Sequence, residues 1–321
     1  MTEMNLVQAI NLALKQEMQR DSQIVLFGED VGMNGGVFRV TEGLQKAYPK
    51  RVFDTPLSEN GIIGTAVGLA AYGMRPVVEI QFSGFLPAGF DQLISHASRI
   101  RNRSRGRFTC PLVVRVPYSG GIRAPEHHSE SMESCYIHIP GLKVVIPSTP
   151  SDAKGLLVSA IRDPDPVMFF EPKRIYRAIK EEVAEEEFTI PLGKARIARE
   201  GTDCTLISWG AMMIPTMQAA NKTSFDCEVI DLRTLSPLDI DTVLTSVKKT
   251  GRAVIVHEAP KTLGLGAELS AILSEKAILH LKAPLERVTG WDVPFPLAKL
   301  EKFYLPSAER VEKAIEKLMQ F

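Results

Sequence analysis

The chain has 321 residues, more than one ordinary domain holds, so two domains are expected. Its 38 basic side chains balance its 38 acidic ones, and 45% of its residues are hydrophobic; this suits a globular protein and gives no support to a nucleic-acid or anionic-membrane partner. No apolar run reaches transmembrane length, and the opening Met1-Thr2-Glu3-Met4 does not read as a signal peptide.

In chain order, residues 5–20 predict an amphipathic helix with Leu6, Ile10 and Leu14 on one face. Ile24-Val25-Leu26-Phe27 is a continuous apolar run, as in a buried parallel strand. Residues 77–82, 112–116, 143–146 and 167–170 read likewise, with helical stretches near 60–72, 88–103 and 151–162. Strands alternating with helices imply an α/β domain with a largely parallel sheet and right-handed connections. Near residue 180 the pattern breaks in the acidic run Lys180-Glu181-Glu182-Val183-Ala184-Glu185-Glu186-Glu187, read as solvated. The expected division is a first domain over 1–180, an acidic linker over 181–190 and a second α/β domain over 191–321. The second has strands at 204–209, 227–232 and 253–257, helices near 211–220, 237–249 and 266–276, and a closing helix over 311–319. The spacing of Cys110, Cys135, Cys204 and Cys227 fits neither a disulfide framework nor a zinc site, and implies thiols in a reducing cytoplasm.

Glu59 is the centre of the chemical reading. A short β-type run ends at Thr55-Pro56, Ser58 offers an N-cap, and a Gly- and Ala-rich apolar helix follows. The carboxylate then sits in the first turn, where the helix dipole favours it. The competing reading is a glutamate that only satisfies backbone N–H groups. The cluster from Arg99 to Arg107 has few interleaved aromatics and is read as a subunit contact or solvated helix end. Gly264-Leu265-Gly266 lacks the full dinucleotide fingerprint and is read as structural, while residues 28–36 carry no Gly-Lys-Ser/Thr and so form no P-loop.

Several strings, in this order, carry a resemblance: Phe27-Gly28-Glu29-Asp30-Val31, Pro56-Leu57-Ser58-Glu59, Gln81-Phe82-Ser83-Gly84-Phe85, His128-Ser129-Glu130-Ser131, Pro140-Gly141-Leu142-Lys143-Val144-Val145 and Asp231-Leu232-Arg233-Thr234. Over nearly its whole length the chain resembles the β subunit of the thiamine-diphosphate-dependent 2-oxo acid dehydrogenases, the decarboxylating component of the pyruvate and branched-chain complexes, within the transketolase-like superfamily. The resemblance implies a pyrimidine-binding domain followed by a transketolase C-terminal-like domain. It implies decarboxylation of pyruvate or a branched-chain 2-oxo acid and reductive acylation of a lipoyl domain. Glu59 matches the glutamate that shares a proton with the cofactor's pyrimidine nitrogen and favours the tautomer acting as internal base. Phe85 matches the aromatic stacked on that ring, and Leu57 and Gln81 match lesser cofactor-lining positions. Glu29 matches an acid proposed to link two active sites. His128 matches the histidine that guides the lipoyl group, and histidine is the residue type that changes charge near neutral pH. His127 is then a bystander.

The same resemblance implies a potassium ion held mainly by backbone carbonyls of Leu112, Ala160, Ile161, Asp163 and Asp165. No Gly-Asp-Gly string occurs, so the magnesium and diphosphate half of the cofactor site is expected on an α subunit in an α2β2 heterotetramer. The C-terminal residues 317–321 are expected to help dock the acyltransferase core. Rival readings are an acetoin dehydrogenase or transketolase-like subunit, and a non-catalytic scaffold. Glu59 argues against the scaffold, and the Glu130-Ser131 loop favours the dehydrogenase.

Overall fold

A computed structural model describes all residues from Met1 to Phe321. Its first sheet has seven strands, in spatial order Thr234–Ser236, Lys143–Val145, Val167–Pro172, Val113–Tyr118, Arg75–Glu79, Ile24–Gly28 and Val52–Asp54. Every pairing is parallel except that of the first, which joins antiparallel from the far half of the chain. The inner strands are buried along their length, as two-sided helix cover requires. The helix Leu6–Arg20 starts from a capping box between Asn5 and Gln8 and packs on Pro150–Arg162.

The second sheet runs Glu286–Gly290, Ala253–Pro260, Cys204–Ser208, Cys227–Asp231 and Arg196–Arg199, parallel apart from the last. No helix is long and apolar enough to cross a membrane.

Three features differ from the expectations, and one, the juxtaposition of two free thiols, adds to them. The segment 88–103 is not one helix: it breaks into Ser83–Gly89, Gln92–His96, Ala97–Arg99 and Ile100–Arg103, each a turn or two. Pro87 removes a donor, and Gly89 lies so close to the Glu59–Ala71 helix that a Cβ would stand 2.5 Å from Ile63 Cδ1. The acidic run is not simply solvated. Glu181–Val183 pairs antiparallel with Thr2–Met4, and the buried Lys154 ammonium donates to the carbonyls of Ala184, Glu185 and Glu186. Cys204 and Cys227 are free, but they face each other across neighbouring strands with their sulfurs 3.4 Å apart. Strand Thr234–Ser236 crosses the expected boundary to extend the first sheet.

Candidate active site

Four adjacent parallel strands deliver the candidate residues to one edge. Glu29 follows Ile24–Gly28, Glu59 lies just beyond Val52–Asp54, Gln81 and Phe85 follow Arg75–Glu79, and the His128 loop follows Val113–Tyr118. The carboxyl edge of a parallel sheet is where such folds bind ligands.

Glu59 opens the Glu59–Ala71 helix, but it is not the cap. Ser58 Oγ accepts from the Gly61 N–H at 3.2 Å, so the Glu59 carboxylate is spared for another partner. Glu29 is 9% exposed, and its Oε1 is buried without a hydrogen bond. Burial pushes the Glu29 carboxyl above its ordinary range, and the negative charges of Glu59 and Asp30 add to the effect. Gln81 Nε2 donates to Asp30 Oδ2 at 3.0 Å, and Asp30 itself holds a left-handed φ of 59°. Leu57 projects outward, 80% exposed.

His128 rests on aromatic rings. Phe82 meets it edge-on with centroids 4.3 Å apart, and Phe85 at 5.3 Å. Its Nδ1 is buried without a partner. Ser83 Oγ donates to the Glu130 carbonyl at 2.6 Å, anchoring the loop to the segment that carries Phe85. His127 is exposed, its Nδ1 3.8 Å from Glu130 Oε2. Beneath the loop, burial pushes the Glu133 carboxyl up to about 7 and brings the Lys173 ammonium down to about 7.

The residues matched to a potassium site lie elsewhere, around the end of the Pro150–Arg162 helix. Arg75 Nη1 donates to the carbonyls of Ile161 at 2.9 Å and Asp163 at 3.4 Å. The Ala160 and Leu112 carbonyls accept from the Asp163 and Val167 N–H groups. The Asp163 and Asp165 carboxylates pair with Lys143 and Arg101, each at 2.6 Å. Four of the five carbonyls thus accept hydrogen bonds in this structure, with a guanidinium on two of them.

Two family models match the chain: Transketolase, pyrimidine binding domain over residues 2–179, and Transketolase, C-terminal domain over residues 193–311. Among curated relatives, a pyruvate dehydrogenase E1 component subunit beta from Acholeplasma laidlawii is 53% identical over 317 residues, covering 98% of this chain and 97% of its own length. Its counterpart from Bacillus subtilis is 50% identical over the full length of both. A mitochondrial 2-oxoisovalerate dehydrogenase subunit beta from Dictyostelium discoideum is 53% identical, covering 99% of this chain and 87% of its own. The chain belongs to the β-subunit family of the 2-oxo acid dehydrogenases. A solved structure, a split-gene transketolase described as an inactive β4 tetramer, shares the fold with a TM-score of 0.81 at 23% identity, covering 99% of this chain and 98% of that one.

Members of this β-subunit family belong to thiamine-dependent oxidoreductases, and the pyrimidine half of such a cofactor fits the residues here. An unpartnered buried carboxylate oxygen at Glu29, an unpartnered imidazole nitrogen at His128 and a free helix-start carboxylate at Glu59 suit a heterocycle bearing both donors and acceptors. Sequence reasoning missed Phe82 as the ring beneath His128, and Asp30 as the partner of Gln81. It also missed the buried trio under the site. Arg115 binds Glu171 through Nε at 2.7 Å and Nη2 at 3.0 Å, and Glu79 through Nη1 at 2.8 Å. Three charges inside apolar strands were the available signal for that trio.

Proposed function

We propose that this β subunit, with an α partner in an α2β2 heterotetramer, catalyses thiamine-diphosphate-dependent decarboxylation of a 2-oxo acid and transfer of the acyl group to a lipoyl domain of an acyltransferase core. The observation that carries the reading is the convergence of Glu59, Glu29 and the His128–Phe82–Phe85 cluster on one edge of the sheet. Bound thiamine diphosphate supplies the electron sink for decarboxylation.

The chain's own residues orient and protect. Glu59 would hold a shared proton between its helix-start carboxylate and the pyrimidine nitrogen of a bound cofactor. Phe85 offers a face for ring stacking. Glu29, its pKa raised by burial and by Glu59, keeps a second carboxyl beside the first, so that a proton is available between them. His128, on its aromatic bed, receives the lipoyl arm. The exposed Leu57 and Met33, in the loops that follow two of these strands, support an α subunit covering this edge and excluding water. Magnesium and the diphosphate then fall to that partner, because no Gly-Asp-Gly string is present. At the other end, Phe321 is exposed and Leu318 buried, which leaves the Phe321 ring open to the acyltransferase core.

Relatives named for pyruvate and for 2-oxoisovalerate are equally identical to this chain at 53%, so the side chain of the acid is set by a few pocket residues rather than by overall similarity. A pocket that differs by a methylene discriminates only about 10- to 200-fold. The test is a panel of pyruvate and branched-chain 2-oxo acids on the co-purified α and β subunits. Dye-linked turnover with a 2-oxo acid is expected; turnover with acetoin or a ketose phosphate alone would reject the proposal.

A further inference from the structure

The loop that carries His128 is tied to the second domain, and one residue makes two of the ties. Residues 119–131 leave strand Val113–Tyr118 and return to the start of the next helix. Their internal bonds are short-range turns, such as His128 N–H to the Pro125 carbonyl at 3.0 Å and Ser129 N–H to the Glu126 carbonyl at 2.8 Å. No ladder holds the loop in place, so its pose depends on side-chain ties, among them Ser83 to the Glu130 carbonyl, Lys173 to the Ser119 carbonyl and those at its two ends.

At the outgoing end, the Gly120 N–H donates to Glu258 Oε1 at 2.5 Å. At the returning end, Ser131 Oγ donates to the same oxygen at 3.1 Å. Glu258 lies in the second domain, at the carboxyl end of strand Ala253–Pro260, and is 4% exposed. The two ends also meet directly, through Ser119 N–H to the Glu130 carbonyl at 3.2 Å. A second glutamate of that domain, Glu301, accepts from the Arg123 N–H at 3.1 Å. Phe295 presses on the same turn: a Cβ on Gly120 would stand 2.2 Å from its ring.

We infer that Glu258 is a positioning residue for His128: one carboxylate oxygen fastens both ends of the loop and so fixes where the imidazole stands against Phe82 and Phe85. The inference rests on the role proposed above for His128. A carboxylate suits the task because a single oxygen accepts two bonds and an ionised acceptor strengthens both. Burial raises the Glu258 pKa above its ordinary range, against the opposing pull of the Gly120 N–H, Lys173, Ser131 and Arg174. The second domain thereby takes part in the chemistry of the first without touching substrate.

The experiment compares Glu258→Ala and Glu258→Gln in the assembled α and β enzyme by three readouts. These are hydrogen exchange across 119–131, dye-linked decarboxylation, and acyl transfer to an isolated lipoyl domain. The alanine variant is expected to exchange faster across the loop and to lose about ten- to a hundredfold in transfer, the scale of a misplaced group. Dye-linked turnover should fall far less, and Glu258→Gln, which keeps an acceptor oxygen, should recover most of the transfer. If Glu258→Ala does not fold, Ser131→Ala removes one tie without emptying the core and should shift the same readouts less. Unchanged loop exchange overturns the clasp, and proportional loss of both half-reactions overturns its purpose. Failure of the His128 reading shows separately, as intact transfer in His128→Ala, while loop exchange still decides whether the clasp exists.

Discussion

His128 stands edge-on against Phe82, with ring centroids 4.3 Å apart and planes inclined by 61°, and Phe85 closes on the same imidazole at 5.3 Å. Edge-to-face pairs of this kind contribute about 0.5–1.5 kcal/mol beyond area burial, so the ring is held in place rather than left to swing. His128→Ala should therefore separate the half-reactions. Decarboxylation read with a dye acceptor should survive in part, while acyl transfer to a lipoyl domain should fail. His127→Ala, on the exposed neighbour, should be milder. Equal losses in both assays for His128→Ala would make it a packing residue of the cofactor site.

Glu59→Gln should leave folding and assembly intact, because Ser58 already caps the helix. Turnover should fall by about two to three orders of magnitude, the scale of losing one preorganised electrostatic contact. Circular dichroism and subunit co-purification check the first half, and dye-linked turnover checks the second. Near-normal activity would return Glu59 to the status of a helix-start charge.

Much of this was legible in the sequence, for identifiable reasons. Ile24-Val25-Leu26-Phe27 reads as a strand covered on both faces, and it lies inside the seven-stranded sheet. Ser58 before an apolar run marked a helix start to the residue. Non-local pairings were not legible. Nothing within Thr234–Ser236 announces that it will leave its own half and join Lys143–Val145. Nor does Glu258, a lone acid after an apolar strand, announce the Gly120 N–H far away in sequence. The segment 88–103 reads as one helix, because what breaks it is not local: Gly89 takes its effect from the Glu59–Ala71 helix packed against it.

The Arg115–Glu171–Glu79 trio should behave as an all-or-none unit. All three side chains are buried, and Tyr176 Oη donates to Glu171 Oε2 at 2.5 Å. Burial alone disfavours the Arg115 charge, but Glu171 and Glu79 together outweigh it and hold the guanidinium protonated. Arg115→Met would leave two carboxylates in the sheet without a counter-charge, at a cost of about 3–5 kcal/mol. Arg115→Lys should also destabilise, since an ammonium cannot reproduce the two-pronged bond to Glu171. Urea midpoints measure both; wild-type midpoints would mean that water reaches these groups.

His257 should make the protein acid-sensitive. Its ring stacks on Trp209 with centroids 5.3 Å apart, and neither nitrogen has a hydrogen-bond partner. Gly264 and Gly266 press so close that a Cβ on either would meet the imidazole within 2.7 Å. Burial lowers the pKa from 6.5 to about 4, the nearby Ala259 backbone opposing it in part and Arg287 adding to it. The folded pKa is depressed, so between these values the unfolded chain binds the extra proton. The stabilisation is therefore present above pH 6.5 and lost as pH falls towards 4. The full loss is about 3 kcal/mol. His257→Phe, which keeps the stack, should flatten this limb of a plot of urea midpoint against pH. An unchanged limb would place the acid sensitivity on other groups.

The isolated β chain should bind thiamine diphosphate weakly or not at all, even with magnesium present. The groups gathered at the sheet edge address a heterocycle: the Phe85 face, the Glu59 carboxylate and the buried Glu29 oxygen. None is a cation that could meet a diphosphate, and the chain has no Gly-Asp-Gly string to hold its bridging magnesium. Stacking contributes about 1 kcal/mol beyond area burial, against about 8 kcal/mol for micromolar affinity. Leu57, 80% exposed, would remain in water until a partner covered it. Adding the α subunit in equal amount should restore cofactor binding and turnover together. Titration calorimetry on the β chain alone is the direct measurement. Micromolar, magnesium-dependent binding there would mean that this chain holds a complete site and that the division of the cofactor between two subunits is wrong.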